Sequence, residues 1–517
     1  MANFQEVHSD KILGTLECFD RMIFRGYLPF YEGRQMENFL YGEGLLFKDL
    51  AEFLKYQSNE IVEHAKSMAL AQGRPYTYLN GGDLRKDDEA RKIAGRDHIK
   101  EGLICIFSRV EPNRTFKLKF GEGRPRIQKH FGQCLTLYFY FMDPDYGLMH
   151  VRIGTWFPLD IQIYVNGHDW LANRLDAKKI SYIKEDNAFL AISDFAKAQV
   201  ESNEFVNFNH KKKFEAYAKM INPLLGNVLG ERSYYWATAQ AEYSTDVLFK
   251  STDALKDFYP ALLEQSIIAT TPEDILHFLG RRPHANFQGD LNTKMTDVMA
   301  GLKGDRQAGV RIKHSMKRNR IKMYNKSGQV LRVETVINSP KEFKVRKIVT
   351  RKGEKSKQWV PLNKSISYLW RLGQISKDAN KRYLNALAIV TDPTDALKGL
   401  DKISGPAKTE SGKSVRPFSP LSKEAFKIFM AIMSGEFHLQ GFKNRELRSK
   451  LQDLKAQRNE KQFASWISRL IARLRFFKLI GQIPHSRKYK LTEFGKKIVM
   501  AAIESRKIFF PLEYSIA

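Results

Sequence analysis

Cysteine is scarce in this chain. There are three among 517 residues, Cys18, Cys105 and Cys134, far apart and with no C-x-x-C pair. That excludes a thiolate zinc site of the usual spacing and a disulfide framework, and it predicts three reduced thiols inside the fold. Long apolar runs are also missing: none reaches the roughly 18 residues that a membrane span needs. The opening MANFQEVHSDKILG has no apolar leader core, so the expectation is a cytoplasmic protein with no membrane partner, nucleoid-associated if it meets DNA. Nor is there a surplus of acid. Net charge is +28, and 43% hydrophobic residues with 12% aromatics indicate packed cores rather than disorder.

The positive charge is concentrated. Residues 301–360 hold 18 Lys/Arg against 4 Asp/Glu, and residues 401–517 hold 24 against 10, a net +14 in each. Residues 1–300 are near neutral. Two basic blocks beside a neutral half predict two places that meet phosphate, with DNA as the expected partner, duplex or single-stranded. RNA stays open, because Lys/Arg density does not separate the nucleic acids.

The length predicts several domains. Residues 1 to about 75 read as helical from their three-to-four spacing, with CFDRMIFRGYLPF (from Cys18) dense enough in bulky residues to form a strand instead. From 100 to 200, short runs rich in Ile, Val, Phe and Tyr predict antiparallel strands. DPDYG (Asp143 to Gly147) is the turn of a hairpin, and GHDWLANRLDAKK is a helix. The fold class is thus α+β and multidomain, a mixed helical and antiparallel-sheet body. The expected divisions are an α+β domain at 1–200, a central helical domain at 201–400 with a basic hairpin at 310–350, a linker at 401–420, and a last domain at 421–517. In the linker, GPAKTESGKS has Ala407 where a phosphate loop needs its first glycine, so it reads as a connection.

The last segment orders helix, helix, helix, two short strands and helix. The stretches NRELRSKL, SRLIARLRFFKLIG and RKYKLTEFGKKI resemble the winged helix-turn-helix domains of bacterial DNA-binding proteins. That resemblance implies a recognition helix with Ile467, Leu470, Ile471 and Leu474 inside. Gln462, Ser465, Arg469 and Arg473 would face DNA, Lys443, Arg445 and Arg448 would lie on the helix before, and Ser486, Arg487, Lys488 and Lys490 would form a wing.

The central block contains RIKHSMKRNRIKMYNKSGQVLRVETVIN, Arg311 to Asn338. Period two sets Ile321, Met323, Leu331 and Val333 against Lys322, Tyr324, Arg332 and Glu334. Lys313, Lys317, Arg318, Arg320, Lys322, Lys326 and Arg332 are candidate phosphate contacts. The segment resembles one in plasmid and phage replication initiators, where a Lys-x-Tyr-x-Lys strand precedes a Leu-Arg-x-Glu strand. The resemblance implies a nucleophilic Tyr324, with Glu334 and His314 as candidate partners and Mg²⁺ or Mn²⁺ if catalysis occurs. The chain lacks the paired histidines of that class. The alternatives at this hairpin are backbone binding without chemistry, and a solvated basic strand.

Three other segments bear on chemistry. His150, Arg152, Asp160, Gln162, His168 and Asp169 would form a metal or active site only if some converge. Arg232, Tyr235, Trp236, Glu242 and Asp246 place two acids one turn apart if helical, with aromatics that suit stacking. GRRPHANFQGD, from Gly280, is a loop able to grip phosphate. Over its whole length the chain resembles a family of uncharacterised bacterial proteins, which implies no activity. The expected function is a DNA-binding protein of a mobile element or plasmid, similar to an initiator or transposase, that recognises a site through the winged helix and holds or processes DNA with its basic central domain. A transcriptional regulator with a sensing N-terminal half and an RNA-binding protein are the alternatives.

Overall fold

A computed structural model describes residues 3–80, 85–120, 125–268, 272–281, 291–297, 310–351, 354–388, 394–434, 437, 441–456, 458–484 and 486–509. Helices and mostly antiparallel strands mix throughout, as an α+β chain should. Contacts divide the chain into two compact units, neither continuous in sequence. One comprises Leu16–Ser244 and Val336–Gln374; the other comprises Met1–Thr15, Thr245–Thr335 and Ile375–Ala517.

In the Leu16–Ser244 unit the strands are β1 (Ile12–Tyr27), β2 (Tyr76–Tyr78), β3 (Gly102–Lys119), β4 (Arg126–Asp143), β5 (Gly147–Gly154), β6 (Ile161–Asn166), a small ladder of β7 (Tyr182–Glu185) and β8 (Ala188–Ile192), and the first part of β9 (Tyr235–Phe249). The order is β9-β1-β6-β5-β4-β3-β2. The Asp143–Gly147 turn forms as the composition predicts. Asp143 Oδ1 accepts from the backbone N–H groups of Asp145 and Tyr146, closing an Asx turn that pairs β4 with β5. Asn166 caps the Gly167–Ala177 helix by accepting from His168 N and Asp169 N. Gly167 is required there, because a Cβ would lie 2.1 Å from the Phe19 carbonyl oxygen. This close approach seats His168 against β1.

The other unit contains β10 (Leu291–Asp297), β11 (Val310–Met316), β12 (Asn319–Lys326) and β13 (Val330–Ile337), in the order β10-β11-β12-β13 with the Thr245–Phe249 end of β9 beside β13. Ile321, Met323, Leu331 and Val333 pack into one core with Val247, Leu255, Leu262, Tyr383 and Leu387. The expected alternation is therefore correct. The expected outer face is not: β13 is buried at all eight positions. The Glu242–Asp246 segment is strand rather than helix, because its β-branched and aromatic residues pair within a sheet. Between β13 and the helix Leu369–Ala386, strands β14 (Lys344–Arg351) and β15 (Glu354–Pro361) form a two-stranded ribbon of their own.

The C-terminal stretch has its own core, built by Phe418, Ile428, Phe429, Ile432, Leu447, Phe463, Ile467, Leu470, Ile471, Leu474, Leu491, Ile498 and Val499 among others. Ser422 caps the helix Lys423–Ile432 through Ala425 N. A short helix Asn444–Lys450 follows, then Glu460–Phe476, where Asn459 and Gln462 form a capping box. Within 401–420, the expected linker, the helix Thr394–Ser404 ends, Ala407–Lys408 pairs with Ser414–Val415, and Phe418 is buried. Strands Ile480–Gln482 and Tyr489–Leu491 pair, and the helix Glu493–Phe509 closes the segment. Gly495 lets that helix touch the strand pair, since a Cβ there would meet the Leu479 carbonyl oxygen at 1.9 Å.

Candidate functional site

Period two gives the 311–334 hairpin two faces, and both are used internally. In the β11–β12 register, His314 lies opposite Ile321 and Lys313 opposite Lys322. His314 therefore belongs to the apolar face, away from Tyr324 and Glu334, and the expected trio is not brought together. His314 is fully buried with Nε2 3.1 Å from Tyr383 Oη, and burial pushes its imidazole down to about 3.

The second face is a largely buried polar layer. Arg332, 0% exposed, grips Asp246 with two bonds of 2.7 and 2.6 Å. Tyr324 Oη donates to Glu334 Oε2 at 2.8 Å, and Lys322 Nζ lies 2.5 Å from Glu334 Oε1. On the opposite, apolar face, Thr335 donates to Asn380, which donates to Thr245. Arg332 is thus an internal strut rather than a phosphate contact, and Tyr324 and Glu334 are buried side chains of the same layer. The sequence concealed this because the partner, Asp246, lies 86 positions away. Lys317 and Arg318 at the turn are exposed, while Lys313, Arg320 and Lys326 are half-buried.

In the other unit, Asp20 on β1 and Glu242 on β9 bring carboxylate oxygens within 4.8 Å of each other. Asp20 is 3% exposed and accepts from Asn166 Nδ2 at 3.1 Å and Asn187 Nδ2 at 3.0 Å. His168 Nδ1 lies 3.3 Å from the same carboxylate, and its Nε2 lies 3.4 Å from Ser244 Oγ. Glu242 is half-buried and accepts from Gln240 Nε2 at 2.5 Å. Two carboxylates this close favour a cation, and the His168 and asparagine contacts orient Asp20 toward one. Neither the Asp20–Glu242 pair nor its supports are adjacent in sequence, so spacing alone gave no sign of it.

The His150–Asp169 candidates do not converge. His150 stacks on Tyr164 and lies 3.6 Å from Asp87. Although burial favours the neutral acid, bonds from His150 and Tyr140 hold Asp87 down to about 2. Arg152 binds Glu111 and Asn113, Asp160 is clamped by Arg114 at 2.5 and 2.6 Å, and Asp169 holds Lys184. Only His168 joins the Asp20 group. In the 232–246 group, Tyr235 is exposed and Trp236 is buried. Of GRRPHANFQGD, positions 282–290 lie outside the described residues.

On the C-terminal segment, Gln462, Ser465 and Arg469 are exposed along one face of Glu460–Phe476, opposite the buried Phe463, Ile467, Leu470 and Leu474. Arg473 departs from that row: its Nη2 donates to the Pro417 carbonyl at 2.7 Å and its guanidinium lies 3.6 Å over Phe418. Lys443 and Arg445 are exposed and Arg448 half-buried. Asn444 Nδ2 donates to Ser468 Oγ, tying the two helices together. In the strand pair Arg487 is exposed and Lys488 and Lys490 are half-buried, while Ser486 Oγ donates to the Ile483 carbonyl.

No protein-family model, curated protein or solved structure matches the chain.

Two stability outcomes follow from the buried charges. Arg332→Met or Asp246→Leu alone should destabilise its unit by about 3–5 kcal/mol, whereas the two together should cost much less, because neither then leaves a charge unpaired. Denaturant unfolding of the three variants measures it. His314 titrates near 6.5 when unfolded and about 3 when folded, so the unfolded chain holds the extra proton between those values. Its stabilisation is complete above 6.5 and is lost as pH falls toward 3. His314→Gln should flatten the decline of melting temperature in that window.

Proposed function

We propose that the chain is a sequence-selective DNA-binding protein whose residues 421–509 act as a winged helix-turn-helix. The observation that carries this reading is the exposed row Gln462, Ser465 and Arg469 on a helix whose opposite face is fully packed, with the exposed Arg487 on the two-stranded element that follows. A helix presenting arginine and amide side chains near its N-terminal half suits the major groove. A short strand pair rich in Lys and Arg suits the adjacent backbone. The net +14 of residues 401–517 supplies the long-range attraction. Origin in a mobile element or plasmid rests on the initiator resemblance of 321–334 alone.

The test selects duplexes from a random pool with the whole protein. Arg469→Ala should weaken the selected duplex by about 5–150-fold and relax preference at one base position. Arg487→Ala should weaken all duplexes alike and make binding less salt-dependent. Failure to enrich any duplex contradicts the reading and leaves a protein-docking module. Equal enrichment of RNA hairpins moves it to RNA.

A second reading adds strand processing. The Asp20–Glu242 pair favours it, since two close carboxylates are the donor set that holds Mg²⁺ or Mn²⁺. Incubating supercoiled plasmid with the protein and either metal should yield nicks that Asp20→Asn and Glu242→Gln abolish while DNA binding persists. Intact plasmid under all conditions removes it, and an adduct lost in Tyr324→Phe would restore the nucleophilic tyrosine.

A further inference from the structure

The β14–β15 ribbon inverts the usual rule for a small antiparallel pair. Residues 344–361 hold seven Lys/Arg against one Glu. The register sets Arg346 opposite Trp359, Ile348 opposite Lys357 and Thr350 opposite Lys355, all on one face. That whole face is exposed. Trp359 is 58% exposed and Ile348 66%, while the ribbon is anchored by Phe343, Val345 and Leu362, which are buried.

The wet face is also uncompensated. Among the described residues, no carboxylate lies within ion-pair distance of Arg346, Lys355 or Lys357. Beside the tryptophan, Arg371 is held in place: its Nε donates to the Lys344 carbonyl at 3.2 Å and its Nη1 to Gln374 Oε1 at 2.6 Å, with the guanidinium 5.8 Å from the Trp359 ring centre. A fixed cation beside an indole, with the ring more than half open, leaves an aromatic surface ready for one more planar group.

We propose that this face is a contact for single-stranded DNA, with Trp359 stacking on an unpaired base and Arg346, Lys355 and Lys357 neutralising the flanking phosphates. Bases in a duplex have both faces covered by their neighbours, so an exposed indole on a flat ribbon selects unpaired ones. A membrane is disfavoured, because cations reach every rung of the face and the turn sequence Arg351-Lys352-Gly353-Glu354 is charged rather than apolar. The site uses no residue of the C-terminal segment and does not rest on the winged-helix reading.

The experiment is fluorescence anisotropy of the whole protein with labelled oligo-dT, a labelled duplex, and phosphatidylserine vesicles. Trp359→Ala should weaken oligo-dT binding by about tenfold, Trp359→Phe much less, and neither should change duplex affinity. Lys355→Ala with Lys357→Ala should reduce the slope of log affinity against log salt on oligo-dT by about 1.4, two phosphates at about 0.7 each. Wild-type oligo-dT affinity in Trp359→Ala overturns the proposal. So does vesicle binding with no oligo-dT binding. Loss of duplex selection in Arg469→Ala with oligo-dT binding intact separates failure of one reading from failure of the other.

Discussion

The bidentate pair of Arg332 and Asp246 is the constraint on which its unit depends. Both groups are 0% exposed, so each is tolerable only while it faces the other. That requirement fixes the register of β13 against β9. A slip of one residue would turn Arg332 into the apolar core and Leu331 and Val333 into the polar layer, two large costs at once. Lys322, Tyr324 and Glu334 complete the layer, while Thr335, Asn380 and Thr245 form a separate hydrogen-bonded group on the opposite face. The basic hairpin therefore spends Arg332 and Lys322 on its own fold. Exposed cations lie at its turn, Lys317 and Arg318, and on the 460–476 helix, on the strand pair that follows it, and on the β14–β15 ribbon.

Much of the local structure was legible in the sequence. Asp143 to Gly147 reads as a turn because an aspartate can accept from the backbone two and three residues on. Ser422 reads as a cap for the same chemistry. The alternation of Ile321, Met323, Leu331 and Val333 against Lys322, Tyr324, Arg332 and Glu334 was correct to the residue. The meaning of the polar face was not legible. Lys, Arg and Glu in alternate positions look the same whether they meet water or a carboxylate from a distant strand. Arg473 failed likewise: it continues the row of Arg469, but Phe418 and the Pro417 carbonyl, 56 positions away, capture it.

The same limit governs the candidate chemistry. Of the polar residues gathered between His150 and Asp169, sequence proximity joined groups that the sheet separates into distinct ion pairs. It also missed Asp20 and Glu242, which neighbouring strands bring together from opposite ends of the unit's first segment. The 344–361 ribbon was hidden too. The structure puts Trp359 and Ile348 in water beside Arg346, Lys355 and Lys357.

We propose that DNA meets the packed C-terminal segment and the exposed ribbon, and not the polar layer of the basic hairpin. Ultraviolet cross-linking of the whole protein to DNA that contains both duplex and single-stranded parts, followed by mass spectrometry of the attached peptides, tests it directly. Nucleotides are expected on peptides from 460–476, 480–491 and 344–361, with none on 321–334. Cross-links confined to 321–334 would contradict it.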